Sequence, residues 1–366
     1  MGVTPVIKIL SNTPITMDSL SSGFKISTNI SLHKDFNEMC GFTQMEVDYL
    51  CSQTLFDICS DIDKEKLKED VKRFYNGYLF TPAKGQRIYN STLINYFLFH
   101  FDYEDCHYPL SMLDNNIATD YKKLMALFKI GDREKNYEVL QELIFNGEAS
   151  GRLKDRYEIE QEFGRNDFLT LLFSLGFITI KKHDFTDQVF EIPNYVIKQL
   201  YFQYFQREME KRANLDIGTS TLSRSLKNLG RGDINLFVQE LSRVIKHLSN
   251  RDFMQFEEKH FKAIVLTLLS YMDFYFIKSE SDVGNRYPDI MLLRRNPYEN
   301  DLRYEYLFEL KWAKKGEIEK KKQEGLAQVK EYLNLPEIRE KKDLQAYVLI
   351  GSKDGVQIYN STQLYF

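Results

Sequence analysis

No apolar run in the sequence approaches the ~20 residues that span a bilayer, so a membrane partner is not expected. The opening Met-Gly-Val-Thr-Pro-Val has neither the basic start nor the long apolar segment of a secretory leader. Cysteine is scarce: Cys40, Cys51, Cys59 and Cys106 all fall in the first third, with no Cys-x-x-Cys pair. That speaks against a disulfide framework or a zinc ribbon and for a reducing cytoplasm. The histidines, His33, His100, His107, His183, His247 and His260, form no His-x-x-x-His pair, which leaves no histidine metal centre to expect. There is no Gly-x-Ser-x-Gly elbow for a hydrolase of that type. Nor is there a Gly-Lys dipeptide, so the GxxxxGK[ST] cradle for nucleoside triphosphates is missing and no ATP site is expected. Positive charge is not in excess either: 49 basic residues face 53 acidic ones, for a net charge of -4. Any contact with nucleic acid must come from a local patch.

What the 366 residues do have is apolar mass, with 43% hydrophobic residues, 27 Phe and 23 Tyr, enough for two or three packed cores. Three zones are visible. In the first, to about residue 100, the Ser-, Thr- and Asn-rich stretch 11–30 reads as loop with a turn at Gly23. Helices follow at 43–58, opened by a Thr43/Glu46 capping box, at 63–76, and after the Asn90 cap. The second zone, 101–250, is mainly helical by periodicity (Tyr121–Phe128, Tyr137–Phe145). It is broken by a hairpin with strands at 177–180 and 189–192 around a turn at His183–Asp187, between helices at 167–175 and 195–205. Winged helical modules share that helix, hairpin, helix order, but a plain scaffold has the same pattern.

The third zone, 251–366, turns to mixed α/β: a helix at 256–271, strands at 273–278, 289–293 and 304–312, a charged helix at 317–333 stopped before Pro336, and a strand at 345–350. Here the chemistry-bearing residues gather. Asp289 opens the second strand directly after Pro288. Glu309 and Lys311 lie two apart on the third, so both side chains take one face. Glu258 lies one turn before Phe261 on the preceding helix. Phosphodiester hydrolysis with a divalent metal needs hard oxygen ligands from different elements and a nearby cation. An acidic-x-Lys triplet also starts at Asp70, Asp120, Glu257, Glu319 and Glu340, so the triplet alone says little. Glu309 differs by sitting among Tyr306, Leu307, Phe308, Leu310 and Trp312, where a carboxylate and an ammonium cost several kcal/mol unless they pair or bind metal. The plainer alternative is a structural pair on a solvated sheet face. Lys311 to Lys322 holds six Lys against Glu317 and Glu319, and Arg286, Arg294 and Arg295 lie near Asp289. Those charges would suit a phosphate backbone or an ordinary solvated helix. His260 reads as a packing or surface residue.

The order α-β-β-β-α-β with Pro288-Asp289, Glu309-Leu310-Lys311, and Gln328 and Tyr332 on the next helix resembles the PD-(D/E)XK nuclease superfamily. TPITMDSLSSGFKISTNISL (13–32), FNEMCGFTQMEV (36–47), FYNGYLF (74–80), IYNSTLINYF (88–97) and DFLTLLFSLGFITI (167–180) resemble a family of bacterial AAA-ATPase-like proteins of unknown function that carry such a domain at the C-terminus. The resemblance implies an α+β chain: a helical remnant of the ATPase-like part at 1–100, a helical linker region with a β-hairpin at 101–250, and a restriction-endonuclease-like domain with a mixed central sheet at 251–366. The absent P-loop then implies a shortened member, or one whose nucleotide-binding part has been lost. For the site it implies Asp289, Glu309 and Glu258 as ligands of Mg²⁺ or Mn²⁺, Lys311 as the residue that orients water and stabilises charge on phosphate, and Gln328 as a helix residue facing the site. Tyr332 on the same helix face is expected to pack on the sheet. The implied activity is hydrolysis of nucleic acid in the cytoplasm, DNA ahead of RNA. Its alternative is a non-catalytic module that keeps the fold and binds nucleic acid or an unidentified protein.

Overall fold

The computed structural model describes residues 32–81, 85–113, 117–154, 163–249, 256–279, 288–341 and 343–361. The expected loop at 11–30 and Arg286 lie outside them. The chain divides into two compact units, one of residues 1–99 and 113–198, the other of residues 100–112 and 199–366.

The first unit opens with α1 (Gln44–Thr54), whose Thr43/Glu46 capping box is present on both arms. Then come α2 (Lys64–Tyr75), the short pair β1 (Asn76–Tyr78) and β2 (Ile88–Tyr89), and α3 (Ser91–His100). The Asn90 side chain accepts from the Thr92 N–H at 2.9 Å, which is the expected start of α3. Next are α4 (Ile117–Leu127), α5 (Arg133–Phe145), β3 (Ala149–Gly151), α6 (Arg165–Ser174), β4 (Thr179–Asp184), β5 (Asp187–Glu191) and α7 (Tyr195–Ala213), which carries the chain into the second unit. The expected hairpin is β4–β5, but β3 adds a third strand beside β5. Three residues without apolar alternation give no strand signal of their own. The hairpin turn is also tighter than expected: β4 runs through Asp184 and the reversal falls on Phe185, 94% exposed at φ +51. Cys40 and Cys51 are free thiols, whereas Cys59 and Cys106 are disulfide-bonded.

The second unit contains α8 (Thr219–Gly230), α9 (Asn235–Ser249), α10 (Glu258–Leu269), β6 (Tyr275–Ser279), β7 (Ile290–Arg294), β8 (Glu305–Trp312), α11 (Ile318–Leu333), α12 (Pro336–Arg339), β9 (Leu344–Ser352) and β10 (Gly355–Asn360). The strands form one mixed sheet in the order β10-β9-β8-β7-β6, antiparallel except for the β8–β9 pair. That is the restriction-endonuclease-like α/β arrangement, extended by α12 and β10. β10 escapes the pattern reading because its residues are mostly half-exposed.

Period-2 alternation sends Leu307 of β8 and Ala346, Val348 and Ile350 of β9 to one face, where they pack with Val329 of α11 and Ile338 of α12, and Tyr332 joins this core as expected. Gly325 lets α11 approach β9, since a Cβ there would lie 2.6 Å from Val348 Cγ1. On the opposite face the Tyr306, Phe308 and Tyr347 rings pack together, and Phe261 of α10 meets Trp312. The polar stretch between β7 and β8 is an anchored loop. Its Arg295, 4% exposed, donates to the carbonyls of Asp273, Pro109 and Leu110, and Arg294 reaches the Arg303 carbonyl and Asp343. The Arg295 guanidinium is spent on structure, which removes it from a phosphate-binding patch.

Candidate active site

β8 is an interior strand of the sheet, so its residues are covered on both faces. Glu309 and Lys311 are there despite their charge: they are 2% and 7% exposed and share the face covered by α11. Lys311 Nζ donates to Glu309 Oε1 at 2.7 Å. The second carboxylate oxygen, Glu309 Oε2, is buried without a hydrogen-bond partner. Desolvation first, then the negative charge of Asp289, push Glu309 up to about 7, against the opposing pull of Lys311. For Lys311 burial acts to lower the pKa, but Glu309, then Glu258 and Asp289, outweigh it and hold the ammonium above its ordinary value.

Asp289 reaches the site because β7 runs antiparallel to β8 with Ile290 opposite Phe308, which sets Asp289 across from Glu309. Its Oδ2 accepts the Leu310 N–H at 2.8 Å and its Oδ1 accepts from Lys262 Nζ at 3.1 Å. Glu258, the first residue of α10, comes round the end of β8. Its Oε2 accepts the Trp312 N–H at 3.3 Å, and its Oε1 stands 3.7 Å from Lys311 Nζ. Four of the five expected residues therefore lie around the end of β8, Lys311 paired with Glu309 and Glu258 and Asp289 paired with Lys262. The fifth, Gln328, is half-buried on α11, one turn after Glu324 and on the same face. Lys321 beside it holds Glu324 below the usual carboxylate range, with smaller contributions from Lys320 and Lys311.

Two further charged residues were not singled out from sequence. Lys262 could have been found as the cation one turn after Glu258 on a helix, and Glu324 as the acid one turn before Gln328. His260 takes the packing role: its Nδ1 accepts the Glu257 N–H at 3.1 Å at the helix start, and burial pulls its pKa down.

Two observations test whether the acidic set suits a cation. Among the described residues no three Asp, Glu, His or Cys side chains close around a common point that could hold a metal ion, because Glu258 is turned to Lys311 and the Trp312 amide. Asp289 and Glu309 remain. They are hard-oxygen donors that repel one another, and one of the four oxygens is buried and unsatisfied, which fits a divalent cation.

Fold and site together define an α+β chain with a restriction-endonuclease-like domain built around β8. Residues 256–359 match the family model described as PD-(D/E)XK nuclease superfamily, and this stretch includes Glu258, Asp289, Glu309, Lys311 and Gln328. No curated protein and no solved structure matches the chain. Among the described residues no helix is long and apolar enough to cross a membrane.

Proposed function

We propose that this domain is a divalent-metal-dependent nuclease that hydrolyses phosphodiester bonds of nucleic acid, DNA ahead of RNA, with its site at the end of β8. The observation that carries the reading is the unpartnered, buried Glu309 Oε2 between Asp289 and Lys311. A carboxylate kept at that cost in a sheet interior is one the chain uses. Asp289 and Glu309 would hold Mg²⁺ or Mn²⁺, with Glu258 as a further carboxylate. Bound there, such an ion would lower the pKa of water and offset charge on the phosphate. Lys311, a fixed cation in a dry setting, stabilises the negative charge that builds on the phosphate oxygens. Lys262, 3.1 Å from Asp289 Oδ1, would hold that carboxylate in position. Gln328 on α11 would be a positioning residue for the site.

The test is cleavage of single- and double-stranded DNA and RNA with Mg²⁺ or Mn²⁺. Lys311→Ala and Asp289→Ala should each reduce the rate by at least about a hundredfold; activity that survives both changes removes the idea.

A second reading has its own support: Asp289 and Glu258 are already engaged by Lys262 and by backbone N–H groups. A site saturated by its own protein would suit a binding module that keeps the fold without the chemistry. Calorimetry separates the two, since metal binding lost in Asp289→Asn supports the enzyme and metal-independent binding of DNA supports the module. We also assign residues 251–366 to the nuclease-like part, 101–250 to the helical connection and 1–100 to a remnant of a bacterial AAA-ATPase-like protein, on the motifs given for each. The setting we infer is cytoplasmic.

A further inference from the structure

β8 does not end in a polar turn. After Lys311 comes Trp312, the single tryptophan of the chain, and then Ala313, Lys314 and Lys315. The Phe256 ring stacks on the indole with centroids 4.9 Å apart and planes 23° from parallel. Phe261 packs against the indole at 5.9 Å. Trp312 and Phe256 are both only partly buried, so this aromatic pair faces water at the border of the acidic site. The main chain beneath it is held, because the Glu258 carboxylate accepts the Trp312 backbone N–H. The turn beyond is fixed too: Glu317 accepts the Lys314 N–H at 3.0 Å, and Gly316 takes the left-handed φ of +85. Lys314 and Lys315 are exposed.

These features lie in chain order along one segment: carboxylate, ammonium, aromatic stack, two exposed cations. Trp312 lies on the face of β8 opposite Glu309 and Lys311, and Glu258 at the strand end touches both sides, the Trp312 backbone N–H with one oxygen and Lys311 with the other, so a strand of nucleic acid crossing that end would pass from the acidic cluster to the aromatic pair. We propose that the end of β8 is a platform for an unpaired nucleotide. Its base extends the Phe256–Trp312 stack, Lys314 and Lys315 take the neighbouring phosphates, and Lys311 and Glu309 face the phosphate to be cut. An aromatic platform gains little from a paired base, whose faces are covered by its neighbours, and gains fully from one that is unstacked. The substrate class that follows is single-stranded nucleic acid, or the single-stranded end or flap of a duplex. This rests on the nuclease reading for the phosphate that is cut, but the binding of the base does not.

Tryptophan fluorescence provides the readout. The full chain, kept in chelator so that no cleavage occurs, is titrated with a short single-stranded oligodeoxynucleotide, its RNA counterpart and a blunt hairpin duplex. Single strands should quench the indole and bind about tenfold more tightly than the duplex. Phe256→Leu, which keeps the reporter, should lose about tenfold in single-strand affinity, and Phe256→Tyr should recover most of it. The double change Lys314→Ala and Lys315→Ala should leave the quench in place and reduce the slope of log affinity against log salt by about 1.4. Equal affinity for duplex and single strand, or binding of a dye-labelled oligonucleotide without any change in the indole, would overturn the platform. So would no response to any nucleic acid, which would mean that the aromatic pair meets a protein. Metal-dependent cleavage of duplex without single-strand binding would sink this proposal and leave the nuclease reading standing.

Discussion

Replacing Lys311 by Met keeps the aliphatic stem and removes the ammonium that occupies Glu309 Oε1. In the parent chain, burial and Asp289 already push Glu309 from 4.5 up to about 7; without the lysine the carboxyl moves higher still. A group with a folded pKa above its unfolded value binds more protons in the native state, so its effect on stability is neutral below about pH 4.5 and turns into a loss as the pH rises toward the folded value. In the parent this loss is complete near pH 7. In Lys311→Met it continues, at up to about 1.4 kcal/mol per pH unit. Between pH 7 and pH 9 the variant should therefore lose up to about 3 kcal/mol relative to the parent, the order expected for stranding one member of a buried ion pair. Near pH 6 the two chains should be close, or the variant slightly ahead, because a neutral carboxylic acid beside a thioether has no charge to desolvate. Urea denaturation followed by far-UV circular dichroism at pH 6 and pH 9, without divalent cations, measures the difference, and other groups that titrate in this window cancel in it. The combined variant Glu309→Gln and Lys311→Met should abolish the extra slope. A destabilisation of the same size at both pH values would refute the argument, because it would mean that packing and not charge sets the cost.

Mg²⁺ or Mn²⁺ at about a hundred times its dissociation constant should stabilise the parent by about 2.7 kcal/mol, seen as a rise in Tm that Glu309→Gln lacks; an equal rise in both would place the ion elsewhere. Phe185→Gly should raise the urea midpoint by an amount equivalent to about 1 kcal/mol, since Phe185 is 94% exposed and holds a left-handed φ of +51 that glycine adopts without a Cβ clash; a lower midpoint would mean that the ring packs in solution. Gly325→Ala should destabilise by about 1–3 kcal/mol through its contact with Val348, although in an exposed helix the same change stabilises by up to about 1 kcal/mol. A net gain in thermal stability would show that α11 has room to move off β9.

Much of the second unit could be read from residue order because its signals are local and strong. Apolar runs of five to eight residues, between breakers, mark β7 and β8, and the charged amphipathic stretch ending before Pro336 marks α11. β3 and β10 fail for the same reason in different ways. β3 has three residues, Ala149, Ser150 and Gly151, and exists because β5 is there to pair with it. β10 alternates too weakly to be seen apart from its partner β9. Pairing is a property of two segments, and a pattern read along one segment does not contain it. The loop between β7 and β8 misled in the opposite direction. Its arginines read as a cationic patch, yet Arg295 is buried on the carbonyls of Pro109 and Leu110, some 185 residues away in sequence.

The charged residues of the candidate site stand out in the sequence, and the reason is energetic. A carboxylate and an ammonium two apart in an apolar strand oppose the burial that the rest of the strand demands, so the conflict shows in the one-dimensional pattern. What the pattern could not show is how that conflict is shared out. Lys311 satisfies one oxygen of Glu309 and leaves the other bare, and it draws Glu258 toward itself and away from the two acids that would hold a metal. The same lysine thus holds Glu309 and would compete with a bound cation for Glu258. A divalent cation at Asp289 and Glu309 would weaken the hold of Glu309 on Lys311. The ammonium would then be free to turn to a phosphate, and Glu258 to turn to the ion. On this argument Lys311→Met should uncouple the binding of metal and substrate even where each still binds alone.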